Sequence, residues 1–180
     1  MDKELKLIEG CLAGKRKAQN EFYSRFAPAL FGICLRYASN KFEAQDMLQE
    51  GFIKVFSSLA SFENKGSIEG WIKRVVVNNA LNYLRAKAKL QFTSDLSEIE
   101  NLADNIPEID ETAPPPDSNT MLGLIQQLPE GYRMVFNLYV MEDYSHKEIA
   151  EIAGISENTS KTQLMRARNL LQKKISELPR

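Results

Sequence analysis

A segment without helical periodicity divides this chain into two parts. Over residues 91–116 the apolar residues show no helical spacing, whereas they do on both sides of it. The segment contains the run Pro114–Pro116, and proline lacks the backbone N–H donor and favours extended backbone. Since no helix can pass through such a run, two separately folded domains are expected. The predicted parts are a first domain over 1–90, a flexible linker over 91–118 and a second domain over 119–180.

Both parts carry the apolar spacing of α-helices, so the predicted fold class is all-α, with two small helical domains. In the first part, for example, Phe22, Phe26 and Leu30 recur at intervals of one helical turn. No segment alternates with period two for long enough to form a strand, and the one β-branched run, Val75–Val77, lies in a helical frame. The predicted helices of this part cover about 2–13, 17–37, 42–59 and 67–89.

The second part predicts a helix-turn-helix. Ser145 followed by Glu148 has the spacing of a capping box, which begins a short helix. Gly154 ends that helix, because glycine tolerates the left-handed cap, and Ser156 caps the next one. Before this motif, helices are expected from Asp117 or Ser118 to about 127, and from Pro129 to about 141.

The second helix of this motif is predicted to have an inward apolar face and an outward polar face. Its inward stripe is expected to consist of Leu164, Ala167 or Arg168, Leu171 and Ile175. Its outward face carries donors and small polar groups, which suit base edges and phosphates in the major groove of DNA because these offer mostly acceptors. The outward residues are Lys161, Thr162, Met165, Arg166 and Asn169. An ordinary basic surface helix is the alternative interpretation of the same pattern.

Charge is sorted along the chain even though the formal net charge is only −1. Residues 70–94 contain basic but no acidic side chains, and 91–120 contain acidic but no basic ones. The segment 161–180 is again basic, with Glu177 its one acid. Two basic helical surfaces separated by an acidic linker are typical of a chain that binds nucleic acid at two places.

Neither a metal nor a cofactor is expected. Cys11 and Cys34 lie far apart without a CxxC motif, and we expect both to be buried thiols in a reducing cytosol. His146 is the one histidine and is expected to lie on the surface of the helix-turn-helix. The N-terminus is charged and no apolar run reaches the length of a membrane span, so a cytoplasmic protein without membrane insertion is expected.

Three strings, in this order and spacing, are similar to a known family. They are FEAQDMLQEGF at 42–52, GWIKRVVVN at 70–78, and LPEGYR at 128–133 followed by YSHKEIA at 144–150. The chain resembles the extracytoplasmic-function (ECF) class of sigma factors, which keep two domains called region 2 and region 4. The resemblance implies a non-enzymatic protein that binds core RNA polymerase and directs promoter recognition, DNA melting and transcription initiation.

The first string implies the surface that binds RNA polymerase. In the family this face docks on the clamp helices of the largest subunit, and the matching residues here are Asp46, Gln49 and Glu50. Asp46 and Glu50 are like charges at i, i+4, a pair that mildly destabilises an isolated helix. The string departs from the family pattern at Gln45, where an acid is common, and at Gly51, which could weaken the helix locally.

The second string implies the reader of the −10 promoter element. Its polar residues fall within about an 80° arc of one helix. They are Arg74, Asn78, Asn82, Arg85 and Lys89. The preceding loop would help to capture a flipped base, with Phe62, Asn64 and Lys65 as the candidate contacts. Trp71 at the start of the helix has a competing interpretation as a core residue.

The third string and the helix after it imply the reader of the −35 element. The matching contacts are Lys161, Thr162, Met165 and Arg166. Asn158 and Ser160 depart from the family pattern, and Ser160 would place a hydroxyl near the packing side of the helix. The resemblance also implies that the flap of the second-largest polymerase subunit and an anti-sigma protein are partners. The acidic linker could mimic RNA in a basic channel or act only as a solvated tether.

Two other classes of protein share parts of this pattern. Response regulators and quorum-type regulators end in a similar helix-turn-helix, but they carry a receiver domain of alternating strands and helices, which the helical first part excludes. Nucleases and recombinases need a carboxylate cluster for metal, or a nucleophile beside a base, and the sequence offers neither. Stable binding to core RNA polymerase separates the sigma interpretation from both.

Overall fold

The computed structural model describes residues 2–63, 66–91 and 115–178, and these ranges contain helices and no strand. The all-α prediction is therefore confirmed, and most of the predicted helix boundaries agree to within two residues. The predicted linker lies almost entirely outside the described residues. In chain order the helices are α1 (Asp2–Leu12), α2 (Arg16–Tyr37), α3 (Lys41–Ser58), a 3-10 turn (Leu59–Ser61), α4 (Ile68–Gln91), α5 (Ser118–Gln126), α6 (Glu130–Phe136), a π-helical turn (Asn137–Met141), α7 (His146–Ala153) and α8 (Glu157–Ser176).

The chain forms two compact units, residues 1–83 and 84–180. In the first unit the apolar stripe of α2 is buried as its spacing predicts, and its aromatic rings meet those of α3. The Phe22 ring lies 4.8 Å from that of Phe26 and 5.6 Å from that of Phe56, between ring centroids. These tilted contacts add to the burial of apolar area that holds the unit together.

Helices α3 and α4 approach closely at a glycine. A Cβ atom placed on the buried Gly51 would lie 3.1 Å from Cγ2 of Val76, which is tighter than ordinary van der Waals contact. Gly51 therefore makes room for the neighbouring helix, a tertiary role that the sequence pattern does not reveal. The same pair of helices shares a buried polar contact, because Nδ2 of Asn79 donates to the Met47 carbonyl over 3.1 Å and its Oδ1 accepts from Lys54.

In the second unit a buried arginine closes the turn between α5 and α6. Arg133 is 1% exposed, and its Nη1 donates to the carbonyl of Gln126, the last residue of α5, over 2.6 Å. Helix carbonyls in the last turn have no partner within the helix, so this contact satisfies one of them. Asp117 caps the start of α5 by accepting from the amides of Asn119 and Thr120, as predicted.

The predicted helix over 129–141 is regular only as far as Phe136. It continues as the π-helical turn, in which the buried Asn137 donates from Nδ2 to the Arg133 carbonyl over 2.9 Å. The Asn137 backbone N–H also donates to the Arg133 carbonyl, so backbone and side chain share this acceptor at the point where the regular helix gives way to the wider turn.

The buried contact of Asn79 predicts a measurable contribution to stability. Asn79→Ala removes the partner of the Met47 carbonyl and of Lys54, so the free energy of unfolding should fall by about 1–3 kcal/mol. Denaturant unfolding of the full chain, followed by the fluorescence of its single tryptophan, Trp71, measures this change in the first unit. Asn78→Ala is the matched control, because Asn78 is exposed and should change stability by at most about 0.5 kcal/mol. Equal losses in the two variants would contradict the structural role of Asn79.

Candidate nucleic-acid interface

Helix α3 carries the predicted docking residues on an open surface. Asp46, Gln49 and Glu50 are all exposed. The helix begins just before them, because Asn40 accepts from the Glu43 amide over 2.9 Å as its N-cap. The predicted face is therefore present from the first turn of α3 onward.

Two exposed apolar side chains lie on this same face of α3. Phe42 is 79% exposed and Ile53 is 69% exposed. At about 100° per residue they share an arc of about 100° with Asp46, Gln49 and Glu50. We did not predict them as site residues, although the spacing i, i+4, i+7, i+11 from Phe42 to Ile53 was a signal that could have identified them. A large apolar residue at each end of an acidic patch is typical of a protein interface.

Helix α4 carries the predicted polar face. Arg74, Asn78 and Asn82 are exposed and Arg85 is partly exposed, whereas the side chain of Lys89 lies outside the described residues. Since these side chains are amides and cations, they can contact base edges and phosphates.

An aromatic pair stands at one end of this polar face. The Trp71 and Phe62 rings are 5.7 Å apart, and both side chains are partly exposed. Trp71 is thus neither fully buried in the core nor fully exposed, and its position on the helix falls on the arc of Arg74 and Asn78. Asn64 and Lys65, the other loop candidates, lie outside the described residues.

The predicted helix-turn-helix is present with its caps. Ser145 accepts from the Glu148 amide, while Oε2 of Glu148 accepts from the Ser145 amide over 2.8 Å and from its hydroxyl over 2.7 Å. These hydrogen bonds to the carboxylate lower the pKa of Glu148 below its usual value. Gly154 is left-handed, at φ 68°, and Ser156 accepts from the Thr159 amide to begin α8.

The outward face of α8 is available to a ligand. Lys161 and Thr162 are exposed and Met165 is 54% exposed. Arg166 is partly exposed, and its Nη1 donates to the Tyr132 hydroxyl over 3.5 Å. Tyr132 belongs to the second unit and holds this guanidinium from the side of α6.

The predicted inward stripe of α8 is only partly confirmed. Of the alternatives Ala167 and Arg168, Ala167 is the buried one, and Ile175 is only partly buried. Leu164, Ala167 and Leu171 are buried as predicted. Arg168 is exposed instead, and its guanidinium carbon lies 5.8 Å from the centre of the Tyr139 ring. The charged group therefore stays in water while its face contacts the aromatic ring.

His146 also differs from its prediction as a surface residue. It is partly buried, its ring stacks on that of Tyr139 at 4.6 Å, and its Nδ1 lies 2.9 Å from the Ser160 hydroxyl. Burial lowers the pKa of His146, as do the positive charges of Lys161 and Arg168, and the negative charge of Glu157 opposes them. Ser160, the polar residue that departs from the family pattern, is thus fully buried, and its hydroxyl is hydrogen-bonded.

The cysteines, the potential metal ligands and the helix lengths of the described residues bear on redox, metal-binding and membrane functions. Cys11 and Cys34 are both buried, as expected, and burial raises the pKa of Cys34 to about 12, so this thiol stays protonated. Across 2–63, 66–91 and 115–178, no three histidine, cysteine, aspartate or glutamate side chains are grouped so that they could hold a metal ion. None of the helices described there combines the length and the apolar character needed to cross a membrane.

Comparisons with known proteins match both units. A family model described as Sigma-70 region 2 matches residues 22–90, and one described as Sigma-70, region 4 matches residues 118–171. The chain is 29% identical over 180 residues to the ECF RNA polymerase sigma-E factor of Haemophilus influenzae, which covers 96% of this chain and 95% of that protein. It is 31% identical over 186 residues to the protein of the same name from Escherichia coli K12, covering 97% of this chain and 95% of that one.

A solved structure has a similar fold. It is the sigma factor RpoE of Bartonella quintana in complex with the anti-sigma factor NepR, with a TM-score of 0.53 and 19% sequence identity. The similarity covers 89% of this chain and 98% of that chain. At this identity the likeness concerns the fold alone.

The environment of His146 predicts its titration. Because the folded protein lowers the pKa of His146 below the usual value of about 6.5, the ring should be neutral at pH 7 and should protonate only at a lower pH. The chain has one histidine, so a single imidazole resonance reports this pKa directly in an NMR titration. The same titration in denaturant should give the ordinary value.

The direction of the pKa shift of His146 determines how the free energy of unfolding changes with pH. The unfolded chain takes up the proton more readily, so the contribution of His146 to stability is present above about pH 6.5 and is lost as the pH falls toward the folded pKa. His146→Phe should remove this component of the pH dependence. A folded pKa at or above the unfolded one would contradict the packing described for the ring.

Proposed function

The chain belongs to the sigma-70 family, in its ECF class, and we propose that its exposed helical faces divide the work of promoter recognition among α3, α4 and α8. It is a sigma factor that partners with RNA polymerase and recognises promoter DNA. The proposal depends most on one observation: an acidic face with apolar ends and a face of amides and cations lie on neighbouring helices of one small unit.

Helix α3 docks on the clamp helices of the largest polymerase subunit through Asp46, Gln49 and Glu50. The two apolar side chains, Phe42 and Ile53, support this assignment because interfaces combine buried apolar anchors with a polar surround. The carboxylates would steer the encounter with a basic partner, and the apolar residues would supply area removed from water.

Helix α4 reads the −10 element through Arg74, Asn78, Asn82 and Arg85, with Lys89 continuing the face. Asparagine can both donate to and accept from base edges, while arginine and lysine hold phosphates. Phe62, Asn64 and Lys65 are the proposed contacts of a flipped base. The partly exposed pair of Phe62 and Trp71 supports this, because an aromatic ring offers a stacking surface to an unpaired base.

Helix α8 reads the −35 element in the major groove through Lys161, Thr162, Met165 and Arg166. Its exposed outward face and its capped start support this use, since the first turns of a recognition helix approach the base edges. Met165 can contact the methyl group of thymine, and Arg166 can bind guanine.

The remaining assignments concern the chain as a whole. We propose the boundaries 1–90 for region 2, 91–118 for the linker and 119–180 for region 4. The protein would act in the cytoplasm, catalyse no reaction of its own and need neither cofactor nor metal. Beyond the clamp helices, its partners would be the flap of the second-largest subunit and an anti-sigma protein, as the complex of RpoE with NepR suggests.

The docking proposal predicts the effect of charge reversal on α3. Asp46→Lys with Glu50→Lys should weaken binding to core RNA polymerase by roughly tenfold to a hundredfold, because it opposes the charge of the face while both positions remain exposed. Fluorescence titration of labelled sigma factor with core enzyme measures this affinity. Glu9→Lys with Glu21→Lys is the matched control, since it makes the same change in net charge on the exposed surfaces of α1 and α2. Equal affinities of the α3 variant and the wild type would rule out the assignment.

The −35 proposal predicts a loss of sequence preference. In the holoenzyme, Arg166→Ala should reduce the preference for an intact over a scrambled −35 element by about fivefold to a hundredfold, the range expected for one bidentate base contact. Lys173→Ala, near the end of α8, should leave this ratio unchanged. Footprinting on both templates measures the ratio, and a preference that survives in Arg166→Ala would remove Arg166 from the reader.

A further inference from the structure

The first turns of α8 are held to the rest of the unit by a polar side chain. The buried residues of α8 are Ser160, Leu164, Ala167 and Leu171. Of these, Ser160 is the one within the first seven residues of the helix, and it has no exposed surface. The apolar stripe that anchors α8 therefore begins only at Leu164, after the turn that carries Lys161 and Thr162.

The partner of Ser160 comes from the other helix of the motif. Its hydroxyl lies 2.9 Å from Nδ1 of His146, at the start of α7, and the two groups share a hydrogen bond whose donor depends on the ring tautomer. Tyr139 covers the imidazole by stacking at 4.6 Å with an interplanar angle of 24°. The ring is thus held by both a polar and an aromatic contact.

We propose that the hydrogen bond between His146 and Ser160 is a positioning contact that sets the pose of the first turns of α8 on the −35 element. This inference rests on the proposed function of α8. A buried hydroxyl without a partner is costly, so α8 is most stable at the rotation and distance where Ser160 reaches His146. Because Lys161 and Thr162 follow Ser160 directly, any shift of this turn displaces them from the base edges.

The charges around the pair favour a neutral ring. Burial lowers the pKa of His146 most, Lys161 and Arg168 on α8 lower it further, and Glu157 raises it. A neutral imidazole can act as donor at one ring nitrogen and acceptor at the other, and it adds no charge of its own next to Lys161. The contact therefore positions the helix without contributing a phosphate-binding cation.

Single and double substitutions test this positioning role in the holoenzyme. His146→Phe keeps the stacked ring but leaves the Ser160 hydroxyl buried without its partner. Ser160→Ala removes the hydroxyl and keeps the backbone and Cβ. The double variant, His146→Phe with Ser160→Ala, replaces both polar groups by apolar ones, an exchange that can be nearly neutral.

The measured quantity is the ratio of open-complex formation on promoters with an intact and a scrambled −35 element. His146→Phe should lower this ratio by about threefold to tenfold, and the double variant should recover most of the loss, because the two positions are coupled. The corresponding ratio for the −10 element should not change in any of these variants. Ser176→Ala, at the exposed end of α8, is the matched control and should leave both ratios unchanged.

Other outcomes would overturn the inference in distinguishable ways. If His146→Phe lowers the −35 ratio and the double variant does not restore it, His146 acts directly on DNA rather than through Ser160. If every variant keeps the wild-type ratio while Arg166→Ala loses it, the pair has no positioning role and the function of α8 stands. If the wild type shows no −35 preference at all, the function of α8 itself is wrong. The ¹⁵N shifts of the single imidazole provide a second readout, since Ser160→Ala should change its tautomer balance.

Discussion

The hydrogen bond from Asn79 to the Met47 carbonyl is the interaction on which the surfaces of the first unit depend. Met47 is the neighbour of Asp46 on α3, and Asn79 is the neighbour of Asn78 on α4. This buried contact, which Lys54 completes, joins the helix that carries the proposed docking residues to the helix that carries the proposed −10 residues. Because apolar packing alone tolerates small rotations and shifts, a buried polar pair of this kind favours one register of the two helices over its neighbours.

The second unit uses the same device twice. Arg133 closes the turn between α5 and α6 on the Gln126 carbonyl, and Ser160 meets His146 between α7 and α8. In each case a buried polar side chain of one helix forms a hydrogen bond to a backbone carbonyl or a side chain of another helix. Helices α5, α6 and α7 of this unit have only 9, 7 and 8 residues, and helices this short gain little stability on their own, so their orientation depends on such tertiary contacts.

Local signals were enough to predict the helices and their ends. The capping box of Ser145 and Glu148 and the left-handed Gly154 are read from residues a few positions apart, and both are present. Phe42 and Ile53 could also have been found, since both fall on a face already predicted to be outward. Helical position separates Asn79 from its exposed neighbour Asn78, because Asn79 lies outside the polar arc, but only the packing of α3 shows that its amide contacts the Met47 carbonyl.

The other differences between the sequence predictions and the structure also arise from contacts between side chains that only the folded chain brings together. The role of Ser160 requires a histidine fourteen positions earlier in sequence to be brought within 2.9 Å. Helical periodicity places Ser160 on the packing side, one turn before Leu164, but its hydrogen-bond partner appears only once the two helices cross. The π-helical turn at Asn137 is a further case, since the apolar spacing predicts a regular helix there and does not reveal the buried contact of the Asn137 side chain with the Arg133 carbonyl.

The close approach at Gly51 couples the side-chain sizes that α3 and α4 can accept where they meet. A Cβ atom at position 51 would lie 3.1 Å from Cγ2 of Val76, so a larger residue there requires the Val76 side chain to shift by a few tenths of an ångström or the helices to move apart. Moving the helices apart would strain the contact of Asn79 with the Met47 carbonyl. Positions 51 and 76 should therefore vary together among relatives of this chain, so that α3 and α4 keep their close approach.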